Sequence, residues 1–182
     1  MADRSNRMMT GMFRDRESAD RAYDCVTSRG YTDKDVGLLM SDDTRTRCFP
    51  RTEPVTELGT KAAEGAGVGV LAGAGLGALL VGLAAAGIAV PGLPIIAMGP
   101  LAAAFAGGGT GGVVGAILGA LVGYGIPEER AKLYERGIGE GGIVFGVTPR
   151  SEEDAEFIER GWTSARAEQI YRPGAVESGR GV

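Results

Sequence analysis

Apolar residues follow three regimes along the chain. From Met8 to Met40, and again from Pro127 to Tyr171, they come in short runs or at helical spacing among charged residues; between Glu64 and Glu128 they continue with no Asp, Glu, Lys or Arg at all. The outer segments predict short strands alternating with amphipathic helices. Met8 to Phe13 reads as a strand, and Asp15 to Arg29 as a helix whose apolar positions Ala19, Ala22, Tyr23 and Val26 share one face. Gly30 ends it as a residue free to take positive φ. Val36 to Met40 is the next strand, which makes a β-α-β unit with a helical crossover. The Thr- and Arg-rich stretch Ser41 to Glu57, with two prolines, reads as a loop.

The second outer segment opens with Ile126-Pro127-Glu128-Glu129, where proline suits the first helical turn and two carboxylates complement the helix dipole. That helix is expected to stop at Glu135 or Arg136, before Gly137. Ile143 to Val147 is the clearest strand. Ser151-Glu152-Glu153-Asp154 starts another helix, with Ala155, Ile158 and Phe157 facing inward and Gly161 near its end, and Gln169 to Tyr171 makes a closing edge strand. Four strands with helices on one face give a fold class of α+β: a discontinuous, ferredoxin-like βαβ plus αβαβ domain interrupted by a glycine-zipper helical hairpin. The divisions are 8–57 for the first half of the domain, 58–125 for the hairpin, 126–172 for the second half and 173–182 for a flexible tail.

Within the charge-free stretch the glycines are ordered. Gly65, Gly69, Gly73 and Gly77 recur every four residues, and Gly107, Gly111, Gly115, Gly119 and Gly123 do so again. Residues four apart share a helix face, so each series is a groove into which a second backbone can settle. These nine glycines are the candidate helix-packing residues. Each costs a helix about 0.8–1.0 kcal/mol relative to alanine, a loss that packing must offset. Bulkier faces run beside the grooves: Val70, Leu71, Leu76, Leu79, Leu80, Val81 and Leu83, then Val113, Val114, Ile117, Leu118, Leu121 and Val122. At about 1.5 Å per residue, Gly65 to Val90 reaches roughly 39 Å, enough for a hydrocarbon layer of about 30 Å. Val90-Pro91-Gly92-Leu93-Pro94 signals a turn, and Ile95 to Phe105, broken at Gly99-Pro100, reads as a short or re-entrant helix.

Composition narrows the functional classes. The chain has 32 glycines but only 6% aromatic residues, which argues against a conventional core of large side chains. A net charge of −4 supplies no basic excess for nucleic acid. The lack of histidine removes the commonest general base and metal ligand, so no catalytic residue, cofactor or metal site is expected and the chain is read as a non-enzyme. Cys25 and Cys48 have no metal or disulfide spacing, which fits a reducing compartment, and the polar start Met1 to Arg7 is unlike a signal peptide. The triplets Gly65-x-Gly67-x-Gly69 and Gly73-x-Gly75-x-Gly77 lack the preceding strand and the acidic ribose partner of a dinucleotide site. Glu152, Glu153, Asp154 and Glu156 read as a helix start ahead of a cation site, Trp162 and Tyr171 as packing residues, and Arg14, Arg16 and Arg21 as solvated.

Phe13 to Ala19, the Gly/Ala-rich middle from Gly65 to Gly123, and the exit Gly125-Ile126-Pro127-Glu128-Glu129-Arg130-Ala131 followed by Tyr134 together resemble the bacterial low-temperature-induced and general-stress proteins. The resemblance covers most of the chain and implies a stress-associated, membrane-located protein without catalytic residues. The expected function is non-enzymatic self-assembly through the zipper hairpin in or at the cytoplasmic membrane. Lys61, Arg130 and Lys132 keep both flanks on the cytoplasmic side. The expected partners are other copies of the chain and the lipid bilayer, and not nucleic acid. The alternatives are a soluble homo-oligomeric scaffold with the hairpins in its core, favoured by a mean hydropathy of only +0.04, and small-ligand sensing by the ferredoxin-like domain.

Overall fold

The computed structural model describes residues 8–32, 34–49, 88–89, 95–102 and 113–174. Its layers follow from alternation in the strands. In β5, Ile143–Val147, the residues Ile143, Phe145 and Val147 point to one face and Val144 to the other, and all of them are buried. The same holds for β1, Met9–Phe13, and for β2, Val36–Ser41, where Val36, Leu38 and Met40 oppose Leu39. Strands apolar on both sides need cover on both sides.

Among the described residues six strands form one sheet in the order β3-β4-β2-β5-β1-β6, with every neighbouring pair antiparallel. Here β3 is Ile88–Ala89, β4 is Ile95–Met98 and β6 is Glu168–Tyr171. The expected crossover is present, since β1 and β2 both pair antiparallel with β5 and so run parallel to each other on either side of it.

One face carries α1, Arg16–Thr27, and α5, Glu152–Ser164; Ala19, Ala22, Tyr23 and Val26 of the first meet Ala155, Ile158 and Trp162 of the second over Phe13 and Phe145. The other carries α3, Val113–Gly123, and α4, Glu128–Gly139, which bury Ile117, Leu121, Ala131, Tyr134 and Ile138 over Met8, Met12, Leu39 and Val144. The α+β class is therefore what forms, with helices on both faces and not on one.

The caps are local and legible. Asp15 and Ser151 accept hydrogen bonds from the backbone N–H of Ser18 and Asp154 at 2.8 and 3.1 Å, which satisfies donors that a first turn otherwise leaves unpaired. Gly30 has φ of 76°, as expected of the residue closing α1. Three expectations are corrected. Asp42–Cys48 is a helix, α2, and not loop: Ser41 caps it through the Thr44 N–H at 3.1 Å, and acids precede arginines along it in the sense the dipole favours. Ile95–Met98 is a strand and not a helix, because the edge of β2 offers it a ladder from Leu38↔Met98 to Ser41↔Ile95. Helix α4 continues through Gly137, where a Cβ would strike Met12 Sδ, so the missing side chain lets the helix lie close on the sheet.

The end of the first zipper helix is also revised, since Ile88 and Ala89 pair with Ala97 and Ile96 as strand. The Pro/Gly turn signal Val90-Pro91-Gly92-Leu93-Pro94 lies outside the described residues. β3, β4 and α3 thus belong to the sheet and its second layer, although all of them come from the charge-free stretch.

Candidate functional site

Every residue of α3 is apolar or glycine, so nothing but contact decides which way it faces. Ile117 and Leu121 are buried in the cluster shared with α4 and the sheet, Ala120 is buried and Leu118 half-buried; Gly115, Gly119 and Gly123 are exposed. A Cβ placed on any of these three glycines meets nothing within 4 Å among the described residues. Gly115, Gly119 and Gly123, three of the nine candidate positions, thus lie on the exposed side of α3, with Val122, 42% exposed, beside them. The other candidate positions, Gly65, Gly69, Gly73, Gly77, Gly107 and Gly111, lie outside the described residues.

The helix ends in a tight reversal. Gly125 takes φ of 93°, its N–H reaches Val122 O at 2.9 Å, and the N–H of Ile126 reaches Leu121 O at 3.0 Å while the Ile126 side chain is buried. This six-to-one and five-to-two pairing is the Schellman arrangement, and only glycine takes its positive φ without strain. Pro127 then starts α4, and Glu128 pairs with Lys132 at 2.6 Å, which draws the Glu128 carboxyl down and the Lys132 ammonium up. The exit motif Gly125–Ala131 is thus the joint between the outer helix and the helix that lies on the sheet.

Farther along α4, Tyr134 is fully buried and its hydroxyl donates to the carbonyl of Gln169 in β6 at 2.6 Å. With its proton so used, the hydroxyl accepts from Thr10 Oγ1 at 2.8 Å. Burial is the main cause that pushes this phenol up to about 12. Arg130, one turn earlier, reaches Gln169 Oε1 at 2.9 Å. Neither Thr10 nor Gln169 stands out in the sequence, and a lone buried threonine in a strand carries no pattern to find it by.

The acids at the start of α5 are spoken for. Asp154 accepts from the Tyr31 hydroxyl at 2.9 Å and lies 3.5 Å from Arg29; Glu153 lies 3.5 Å from Arg29, Glu152 pairs with Arg172, and Glu156 lies 3.9 Å from Arg160. These contacts fit the helix-start reading. Among the described residues no cluster of His, Cys, Asp and Glu is arranged to hold a metal ion.

Trp162 is a packing residue as expected, edge-on to Phe13 at 5.8 Å with its indole N–H towards Ala22 O at 3.3 Å. Arg14 is exposed, as expected, and bridges Glu140 and Glu168 at 2.7 and 2.9 Å on the surface. Arg16 lies over the Phe49 ring and donates to Cys48 O, which ties α1 to the end of α2. Arg21 pairs with Glu17 within α1 at 2.6 Å. Cys25 and Cys48 are unpaired, and burial raises the Cys25 thiol, the opposite of what an activated thiolate needs.

No family model, no curated protein and no solved structure matches the chain. Among the described residues no helix is long and apolar enough to cross a membrane.

Proposed function

We propose that the chain is a non-enzymatic, stress-associated structural protein that assembles with copies of itself through glycine-striped helices in or against a membrane. The observation that carries this reading is the two-sided character of α3. Its inner side is anchored to the sheet through Ile117 and Leu121, and its outer side is an exposed glycine line flanked by Val122. A helix apolar all round is ordinarily buried all round, so the outer side calls for a partner. A line of glycines suits a partner that brings its backbone close.

The core that presents this helix is read as ferredoxin-like. Order β2-β5-β1-β6, with β1-α1-β2 and β5-α5-β6 as its two βαβ halves, supports that reading. The interruption is read as 58–125, within which β3, β4 and α3 are the described elements. The stress association and the membrane rest on the resemblance carried by the Gly/Ala-rich middle and the exit motif.

A soluble assembly is the second reading, and one observation favours it. One side of Val113–Gly123 is already committed to protein through Ile117 and Leu121. The test is sedimentation velocity on the full chain in mild detergent, with Gly119→Leu beside the parent. The variant should sediment as a smaller species; an unchanged distribution would sink zipper assembly. Carbonate washing of membranes separates the two settings: retention supports lipid insertion, and release as a large particle supports the soluble assembly.

A further inference from the structure

An edge strand shows a row of unpaired amide and carbonyl groups that a second chain can complete, and proteins blunt such edges with charges, prolines and bulges. β6 ends one side of the sheet, and among the described residues nothing pairs with its outer side. Between the partners Met12↔Glu168 and Thr10↔Tyr171, β6 spends one residue more than β1. That surplus is a bulge, and Gln169 within it has φ of 54°. This is the left-handed region, where a residue other than glycine is strained and persists only when its surroundings hold it.

The holding contacts come from one helix. Tyr134 of α4 takes the Gln169 carbonyl at 2.6 Å, and Arg130 takes its side-chain oxygen at 2.9 Å. Thr10, in the neighbouring strand, braces the Tyr134 hydroxyl at 2.8 Å. The Gln169 carbonyl is thereby held towards α4, out of the direction a regular strand would give it. Glu168 beside it is fixed by Arg14, and Pro173 just beyond has no N–H to offer.

We propose that Tyr134 and Arg130 lock a strained bulge at Gln169 whose role is to close the β6 edge against pairing with a second copy of this chain. Released from the lock, Glu168–Tyr171 becomes a regular edge strand. Two copies can then join antiparallel across a twofold axis into one continuous sheet. The lock is independent of α3, so it stands whether or not assembly runs through the glycine stripe.

The test compares Gln169→Val with Gln169→Gly in the full chain. Both variants lose the Arg130 contact, but valine is driven out of positive φ and straightens the strand, while glycine keeps the bulge at no steric cost. Sedimentation velocity over a concentration series, read relative to the parent, should show Gln169→Val at twice the parent's mass. Amide exchange at Ile170 and Tyr171 should slow in that variant as concentration rises. Gln169→Gly should match the parent in both readings.

If Gln169→Val keeps the parent's mass and exchange, or Gln169→Gly associates equally, the proposal is overturned. Should the valine variant fail to fold, Tyr134→Phe carries the test, since it removes only the hydroxyl. It should also associate, and the added Gln169→Gly change should restore the parent's mass. Absence of association by Tyr134→Phe overturns the lock as well.

Discussion

At the scale of single residues, two buried groups show how one atom can set a local balance. The buried Tyr134 hydroxyl serves two partners, the buried Thr10 Oγ1 and the carbonyl of the exposed Gln169. Tyr134→Phe takes the partner of the buried Thr10 hydroxyl away, and leaving a buried polar atom unpaired costs about 1–3 kcal/mol; urea denaturation should show a lower midpoint with an unchanged slope. The same phenol ionises near 10 when unfolded and at about 12 when folded. Between those values the unfolded chain has lost its proton and the folded one has not. The contribution is therefore complete below pH 10 and is lost as pH rises through 12, at up to about 1.4 kcal/mol per pH unit. Stability measured across that window should fall less steeply in Tyr134→Phe than in the parent; parallel curves would mean that Tyr134 is not the group responsible. Gly11 poses a steric version of the problem, because a Cβ there would lie 2.9 Å from Trp162 Cε3 while Trp162 is already wedged against Phe13. Gly11→Ala should cost about 1–3 kcal/mol through overpacking, read as a lowered thermal midpoint.

At the scale of elements, what was legible in the sequence is what is decided locally. Helix α1 announces itself by Ala19, Ala22, Tyr23 and Val26 on one face and by the Asp15 cap, α5 by Ser151 and its acidic first turn, and β5 by an unbroken apolar run between glycines. Elements decided by tertiary contact are not legible in this way. Ile95–Met98 is an apolar run too short for periodicity to separate strand from helix, and the free edge of β2 settles it. Gly137 signals a helix end only to a reader who cannot see Met12 beneath it. Asp42–Cys48 carries its own helix signals, Ser41-x-x-Thr44, two leading acids and trailing arginines, but they sit among Thr, Arg and Pro residues that favour a loop. The stripe on α3 was legible as spacing, but its direction was not, because a helix without polar residues carries no inside or outside in its sequence. That direction can be tested. Leu121 is fully buried over the sheet, so Leu121→Ala should cost about 2–5 kcal/mol; an unchanged urea midpoint would mean that α3 is not part of the folded core.

For the whole molecule, the two sides of α3 imply that folding can be separated by mutation from the assembly proposed above. Leu121→Ala acts on the inner side, so it should lower the unfolding midpoint of the domain and leave the size of the assembly unchanged under folding conditions. Gly119→Leu acts on the outer side, where the described structure has room for the new side chain. Leucine also favours a helix over glycine by up to about 1 kcal/mol, so the isolated fold should be unharmed or slightly firmer while the assembly disperses. Loss of both properties together would indicate a misfolded chain, and loss of neither would leave the stripe without a role. Salt supplies an independent reading. The stripe and its neighbours on α3 carry no charge, whereas surface pairs such as Arg14 with Glu140 or Arg150 with Asp35 are exposed and weaken as the screening length shrinks from about 10 Å at 0.1 M to about 3 Å at 1 M. An assembly joined along α3 should keep its sedimentation coefficient across that range, because apolar contact is not screened. An assembly that came apart with added salt would instead be joined through the charged faces of α1, α4 or α5, and the glycine line would have to be explained by something other than self-association.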